Sequence, residues 1–170
     1  MIEKEITLNP QEKVLAGISK LREAVGSTLG PGGSTVLIED DFGKPHSTKD
    51  GVTVAKAINL SDAVEHLAMS VVRQASMKTG ENSGDGTTTS VVIAHEMIST
   101  AHEYLKSRPE LNIHTVCRLL KEEIDSAIDY IGNKVLDVDA KILANVAKIS
   151  ANNDTEIGDL ISGAYNTLGK

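Results

Sequence analysis

Apolar residues recur every three or four positions over most of this chain, which is the period of helices with one buried face. The first such run is Val14, Leu15, Ile18, Leu21, Val25 and Leu29. Asn9-Pro10-Gln11-Glu12 precedes it. There Asn9 suits a helix cap, Pro10 the first helical position, and Glu12 a reach back to the cap. Residues 4–8 read as a short edge strand. Gly30-Pro31-Gly32-Gly33 ends the helix, because glycine admits positive φ and proline cannot continue the hydrogen-bond ladder. The period then shortens. Thr35, Val36 and Ile38 are β-branched and predict a strand over 34–39, a turn over 40–45, and a returning strand over 46–48. Residues 52–58 fit either a strand, through their β-branched members, or a short helix, through Ala55, Lys56 and Ala57.

From Ser61-Asp62 the helical period returns, with Val64, Leu67, Ala68, Val71, Val72 and Ala75 as the expected inward face. Residues 79–86 carry three glycines and predict a loop. Further helices are predicted from about Thr87 to the Arg108-Pro109 stop, from about 112 to 134, and over about 140–149 and 155–168. In the helix from Thr87 the inward residues are Val91, Ile93, Ala94, Met97, Ile98, Ala101 and Leu105. The class is mainly α with one small β-hairpin.

Composition narrows this picture. The 170 residues are 40% hydrophobic but only 2% aromatic, so the core must be aliphatic, and no stacking platform for single-stranded nucleic acid exists. A net charge of −7 without a basic stripe argues against a nucleic-acid partner. No apolar run nears the roughly 18 residues of a membrane span, and the first residues lack a signal-peptide core, which points to a cytoplasmic protein. Cys117 is the only cysteine, so no internal disulfide or cysteine-built metal site is possible; it reads as a structural thiol. The five histidines are scattered without acidic company and make no zinc site.

Three segments could carry chemistry. The strongest is Gly84-Asp85-Gly86-Thr87-Thr88-Thr89. The first amides of a helix lack internal partners and lie at the positive end of its dipole, so this turn suits a phosphate. The glycines would let a phosphate approach the backbone and the threonines add hydroxyls. Asp85 would repel phosphate directly, so its sensible task is to hold Mg²⁺. The competing reading is a glycine loop followed by a threonine-rich cap. Thr28-Leu29-Gly30-Pro31-Gly32-Gly33 could wrap a nucleotide or merely stop a helix. Lys49-Asp50-Gly51 could orient an attacking water or be a surface turn. The phosphate-loop pattern ending in Gly-Lys-Ser or Gly-Lys-Thr is absent, as is a Gly-x-Ser-x-Gly elbow, which disfavours phosphate-loop kinases, GTPases and serine hydrolases.

In order and spacing these segments resemble the group I chaperonin (chaperonin-60) family. The motifs are Thr28-Leu29-Gly30-Pro31, Thr48-Lys49-Asp50-Gly51-Val52-Thr53-Val54-Ala55, Gly84 to Thr89, and Ile149-Ser150-Ala151-Asn152. The resemblance implies the helical bundle of an equatorial, ATP-binding domain over 1–131 and the ascending part of an α-helical intermediate domain over 132–170. It implies that the hairpin near 34–48 pairs with a neighbouring subunit. Thr28, Leu29, Gly30, Pro31, Lys49, Asp85, Gly86, Thr87, Thr88, Thr89, Ile149 and Ser150 would line ATP. Asp85 would hold Mg²⁺, and Thr28, Lys49 and Thr88 would border K⁺. Asp50 would be catalytic, positioning the hydrolytic water. Gly32 departs from the family's usual Lys.

By the same resemblance the chain stops inside the intermediate domain. It would then lack the apical domain that meets unfolded polypeptide and a co-chaperonin, the returning segment with a catalytic Asp, and the second half of the equatorial domain. Large apolar helix faces are therefore expected to be exposed. The implied whole protein is an ATPase of homo-oligomeric, heptameric rings that enclose folding chains. The alternative is a truncated, non-catalytic nucleotide-binding or assembly module.

Overall fold

The computed structural model describes residues 10–30, 32–39 and 43–169. The expected strand over 4–8, the Asn9 cap, Pro31 and the turn residues 40–42 lie outside them. The described elements are α1 (Gln11–Gly26), β1 (Val36–Glu39), β2 (Pro45–Thr48), α2 (Gly51–Ala57), α3 (Ala63–Ser83), α4 (Thr87–Ser107), α5 (Ile113–Gly132), α6 (Ala140–Ser150) and α7 (Thr155–Leu168). The expected class, mainly α with one hairpin, is the class observed. The chain divides into two compact units, Met1–Ile113 and His114–Lys170.

In the first unit α1 packs against α3 and α4, with α2 beside them. Ile18, Leu21 and Val25 of α1 meet Val54 and Ala55 of α2, Met69 and Val72 of α3, and Val91 of α4. This core is aliphatic, as the composition requires. β1 and β2 pair antiparallel with Val36 opposite Thr48 and Ile38 opposite His46. Val36 and Ile38 point to the core while Leu37 is exposed, which is the two-residue alternation of a half-buried strand.

Three readings of the sequence are corrected or resolved. Residues 52–58 are helical over Gly51–Ala57, because Asp50 caps that turn and the apolar side of Val54 and Ala55 is buried. The predicted loop over 79–86 is much shorter: α3 runs through Gly80 to Ser83 and stops only at Gly84, whose φ of 74° suits glycine. The inward face of α3 is also rotated from the expected one. Met69, Val72 and Ser76 are buried, whereas Leu67 and Val71 are 67% and 61% exposed. α3 is apolar on two sides, and periodicity alone cannot say which side α1 and α4 cover.

Aspartates start four of the helices. Asp50, Asp62, Asp139 and Asp154 each accept amide hydrogens from the first turn of α2, α3, α6 and α7. In the second unit α6 and α7 pack together around a turn in which Asn152 and Asn153 adopt left-handed backbone, as asparagine tolerates. α5 is strongly amphipathic yet buries none of its residues, and Leu119, Ile128 and Ile131 are exposed. The expected exposure of apolar helix faces is thus present. Cys117 lies on α5 and is exposed rather than packed. Among the described residues no helix is long and apolar enough to cross a membrane.

Candidate functional site

Where α2, the end of α3 and the start of α4 converge, they enclose a cleft of about 330 Å³. Its walls are Asp50, Val52 and Lys56 from the α2 side, Met77, Gly80 and Glu81 from α3, and Gly84, Asp85 and Thr87 from the α3–α4 turn. Two segments singled out in the sequence, 35 positions apart, therefore face one another across one space.

The turn between α3 and α4 is shaped by its glycines. Gly84 and Gly86 both have positive φ, 74° and 84°, a backbone that a β-carbon disfavours. Between them the Asp85 carboxylate accepts the Gly86 amide hydrogen at 2.6 Å. No side chain caps α4, so its first-turn amides are left for an outside acceptor. The start of α4 is tethered from the side. Ser76, buried in α3, donates its hydroxyl hydrogen to the Thr87 carbonyl at 2.7 Å, and Ser90 donates to the same oxygen at 2.7 Å.

Asp50 is held as closely. Its Oδ1 accepts from the Val52 amide at 3.2 Å, and its Oδ2 from the Thr53 amide at 2.9 Å and the Thr53 hydroxyl at 2.5 Å. Partial burial, the largest single influence, pushes this carboxyl's pKa up. The hydrogen bonds from Thr53 and Val52, with the Lys56 charge, outweigh it and hold the group below the ordinary carboxylate value.

Next to Asp50, Gly51 brings Thr28 and Thr88 together. A β-carbon at Gly51 would lie 2.0 Å from Thr88 Oγ1 and 3.1 Å from Thr28 Oγ1. Thr28 follows the end of α1, with its amide and hydroxyl hydrogens both donated to the Val25 carbonyl. Leu29 and Gly30 follow in an exposed turn, and Gly30 has a φ of 77°. Lys49 is exposed and, like Thr28, Leu29, Gly30, Gly86, Thr88 and Thr89, is not in the wall of the cleft. Ile149 and Ser150 end α6 in the second unit.

Thr53, Lys56, Ser76, Met77, Gly80 and Glu81 belong to this region but were not singled out in the sequence. Asp50 directly ahead of a possible helix was a legible cap signal, which places Thr53 in the first turn. Gly80 and Glu81 were hidden by the loop assigned to 79–86.

The donor set fits a metal only in part. Among the described residues no three His, Cys, Asp or Glu side chains are grouped as a metal site. Mg²⁺, however, commonly binds through one or two carboxylates together with phosphate oxygens, and Asp85 beside an uncapped helix start suits that arrangement. The neutral hydroxyl oxygens of Thr28 and Thr88, crowded around Gly51, suit a monovalent cation better than a divalent one. The histidines play a different part. His95 Nε2 lies 3.1 Å from Ser19 Oγ and its Nδ1 lies 3.2 Å from Glu96, a link between α1 and α4.

The sequence profile of the TCP-1/cpn60 chaperonin family matches residues 21–170. Heat shock protein 60 of Emericella nidulans is 39% identical over 169 residues, which is 99% of this chain and 28% of that protein. The chaperonin gp146 from the bacteriophage EL 2 (Pseudomonas aeruginosa), crystallised in the presence of ATP-BeFx, superposes with a TM-score of 0.79 at 30% identity, over 96% of this chain and 29% of its own. A group III chaperonin in the open state superposes at 0.77 with 25% identity, over 93% of this chain and 31% of its own. The chain thus spans between a quarter and a third of the length of each of these proteins.

Proposed function

The chain belongs to the TCP-1/cpn60 chaperonin family, and from that premise we propose that it carries the ATP-binding and ATP-hydrolysing face of a chaperonin subunit. One observation carries the reading: a single cleft joins Asp50, Asp85 and the uncapped start of α4. Residues 1–131 act as the first part of the equatorial domain and 132–170 as the ascending part of the intermediate domain. The whole subunit forms homo-oligomeric rings, heptameric and cytoplasmic, that enclose unfolded polypeptide with a co-chaperonin.

The amides and hydroxyls of Thr87, Thr88 and Thr89 receive the phosphates, with Gly86 clearing their approach. Thr28, Leu29, Gly30, Pro31 and Lys49 border the rest of the nucleotide. Asp85 holds Mg²⁺, and Thr28, Thr88 and Lys49 border K⁺; when bound, these ions offset the phosphate charge. The Asp50 carboxylate, kept ionised by its hydrogen bonds, accepts a hydrogen bond from the attacking water. The water's oxygen bonds to the γ-phosphorus as the bond from that phosphorus to the bridging oxygen breaks. ADP leaves with the bond pair, and the water's proton passes by way of Asp50 to solvent.

The test is Mg²⁺- and K⁺-dependent ATP turnover by the full-length polypeptide, measured together with particle mass. Ring-sized particles whose turnover falls at least about a hundredfold in Asp50→Ala, with nucleotide still bound, support the reading. An Asp85→Ala variant should lose affinity for ATP in Mg²⁺. A monomer that binds ATP but never turns it over would instead identify a non-catalytic assembly module, and one that binds no ATP would end both readings.

A further inference from the structure

Asp50 has two carboxylate oxygens, and they are not equivalent. Each can accept about two hydrogen bonds. Oδ2 already takes two, from the amide and the hydroxyl of Thr53, at 2.9 and 2.5 Å. Oδ1 takes one, from the Val52 amide, at 3.2 Å. Capping α2 needs only the amides. The Thr53 hydroxyl is therefore an extra donor that the cap does not require, and it lands on the oxygen the cap already uses.

We propose that Thr53 is a positioning residue for hydrolysis: its hydroxyl saturates Oδ2, fixes the carboxylate against rotation, and leaves Oδ1 as the oxygen that receives the water. This rests on the reading of Asp50 given above. Asp50 and Val52 both line the cleft, so the less occupied oxygen is the one paired with a cleft residue. Without the hydroxyl the carboxylate keeps its cap through the two amides. It keeps one amide on each oxygen but loses the third bond that tightens its orientation, and Oδ2, with a freed acceptor position, then competes with Oδ1 for the water.

The experiment compares Thr53→Val, Thr53→Ser and Asp50→Ala in the full-length polypeptide. Valine keeps the β-branched shape and the amide, so α2 and its cap remain. Thr53→Val should lower kcat about ten- to hundredfold with ATP affinity unchanged, because the loss is one of aim and not of binding. Thr53→Ser, which keeps the hydroxyl, should restore kcat. A purely structural role would not separate kcat from affinity in this way. Wild-type kcat in Thr53→Val, alongside a dead Asp50→Ala, would overturn this inference and leave the role of Asp50 standing. Intact turnover in Asp50→Ala would overturn both together.

Discussion

Gly51 lies so close to Thr88 that a β-carbon built on it would come within 2.0 Å of the Thr88 hydroxyl oxygen. Gly51 opens α2 and Thr88 sits in the first turn of α4, so the two helix starts meet at a point where only a hydrogen fits. The Thr28 hydroxyl is the next atom out, at 3.1 Å. A Gly51→Ala variant should therefore turn the Thr88 hydroxyl away. Alanine favours the helix by about 0.5–1 kcal/mol, and crowding costs about 1–3 kcal/mol, so the variant should be destabilised by up to about 2.5 kcal/mol. ATP affinity should fall about tenfold or more, and its preference for K⁺ over Na⁺ should shrink. Nucleotide titrations in the two salts check this; affinity equal to wild type in both would show that Thr88 contributes nothing there.

Ser76 gives a second prediction. Its hydroxyl is the lateral tether on the Thr87 carbonyl. Ser76→Ala does not orphan that carbonyl, because Ser90 still donates to it at 2.7 Å. The loss should therefore be that of one neutral hydrogen bond, about 0.5–1.5 kcal/mol, read as a lower urea midpoint. The start of α4 should also loosen, weakening ATP binding several-fold. A lowered midpoint with unchanged ATP binding would mean that the tether serves the fold alone.

Much of this was legible in the sequence. The helices at 11–26, 87–107 and 113–132 announced themselves by period, and the hairpin by its β-branched run. The approach of Asp50 to the 84–89 turn came only from the resemblance and not from spacing, since no local rule joins residues that far apart. Helicity at 79–83 was hidden because glycine count argues for a loop, whereas here Gly80 lets α3 pass close to Thr87. Leu67 and Val71 looked like core because period shows that a face is apolar and not whether anything covers it. The part played by Thr53 is not visible in its position in the sequence, because it depends on a hydrogen bond across one helical turn.

Acid should act on two caps of the first unit. Asp62 is held below its ordinary pKa chiefly by the Lys13 hydrogen bond, and Asp50 by the Thr53 and Val52 donors that overcome its burial. A lowered folded pKa adds stability that is present above the unfolded value, about pH 4, and fades as pH falls through the folded value. Thermal stability should thus fall below about pH 4. Asn still caps a helix but does not titrate, so Asp50→Asn with Asp62→Asn should flatten that decline by giving up, near neutral pH, the part of the stability that acid removes from the wild type. Melting curves by circular dichroism across the acid range check this, and an undiminished decline in the double variant would place the acid sensitivity elsewhere.

The second unit offers a paired test of packing against helix propensity. Gly158 and Gly163 both lie in α7. A β-carbon at Gly158 would come 2.8 Å from Lys148 Cα and 3.0 Å from Lys148 N, which are backbone atoms of α6 and cannot swing aside. At Gly163 nothing lies within 4 Å. Alanine in an open helical position should gain up to about 1 kcal/mol, so Gly163→Ala should raise the unfolding midpoint. Gly158→Ala has the same propensity gain but must push α6 and α7 apart, at about 1–3 kcal/mol, so it should lower the midpoint. The measurement is thermal unfolding of the two single variants side by side. Shifts of opposite sign support a contact in which the missing side chain at 158 sets the approach of α7 to α6. Two upward shifts would show that α6 and α7 are free to slide, and that the close approach at Lys148 does not hold them.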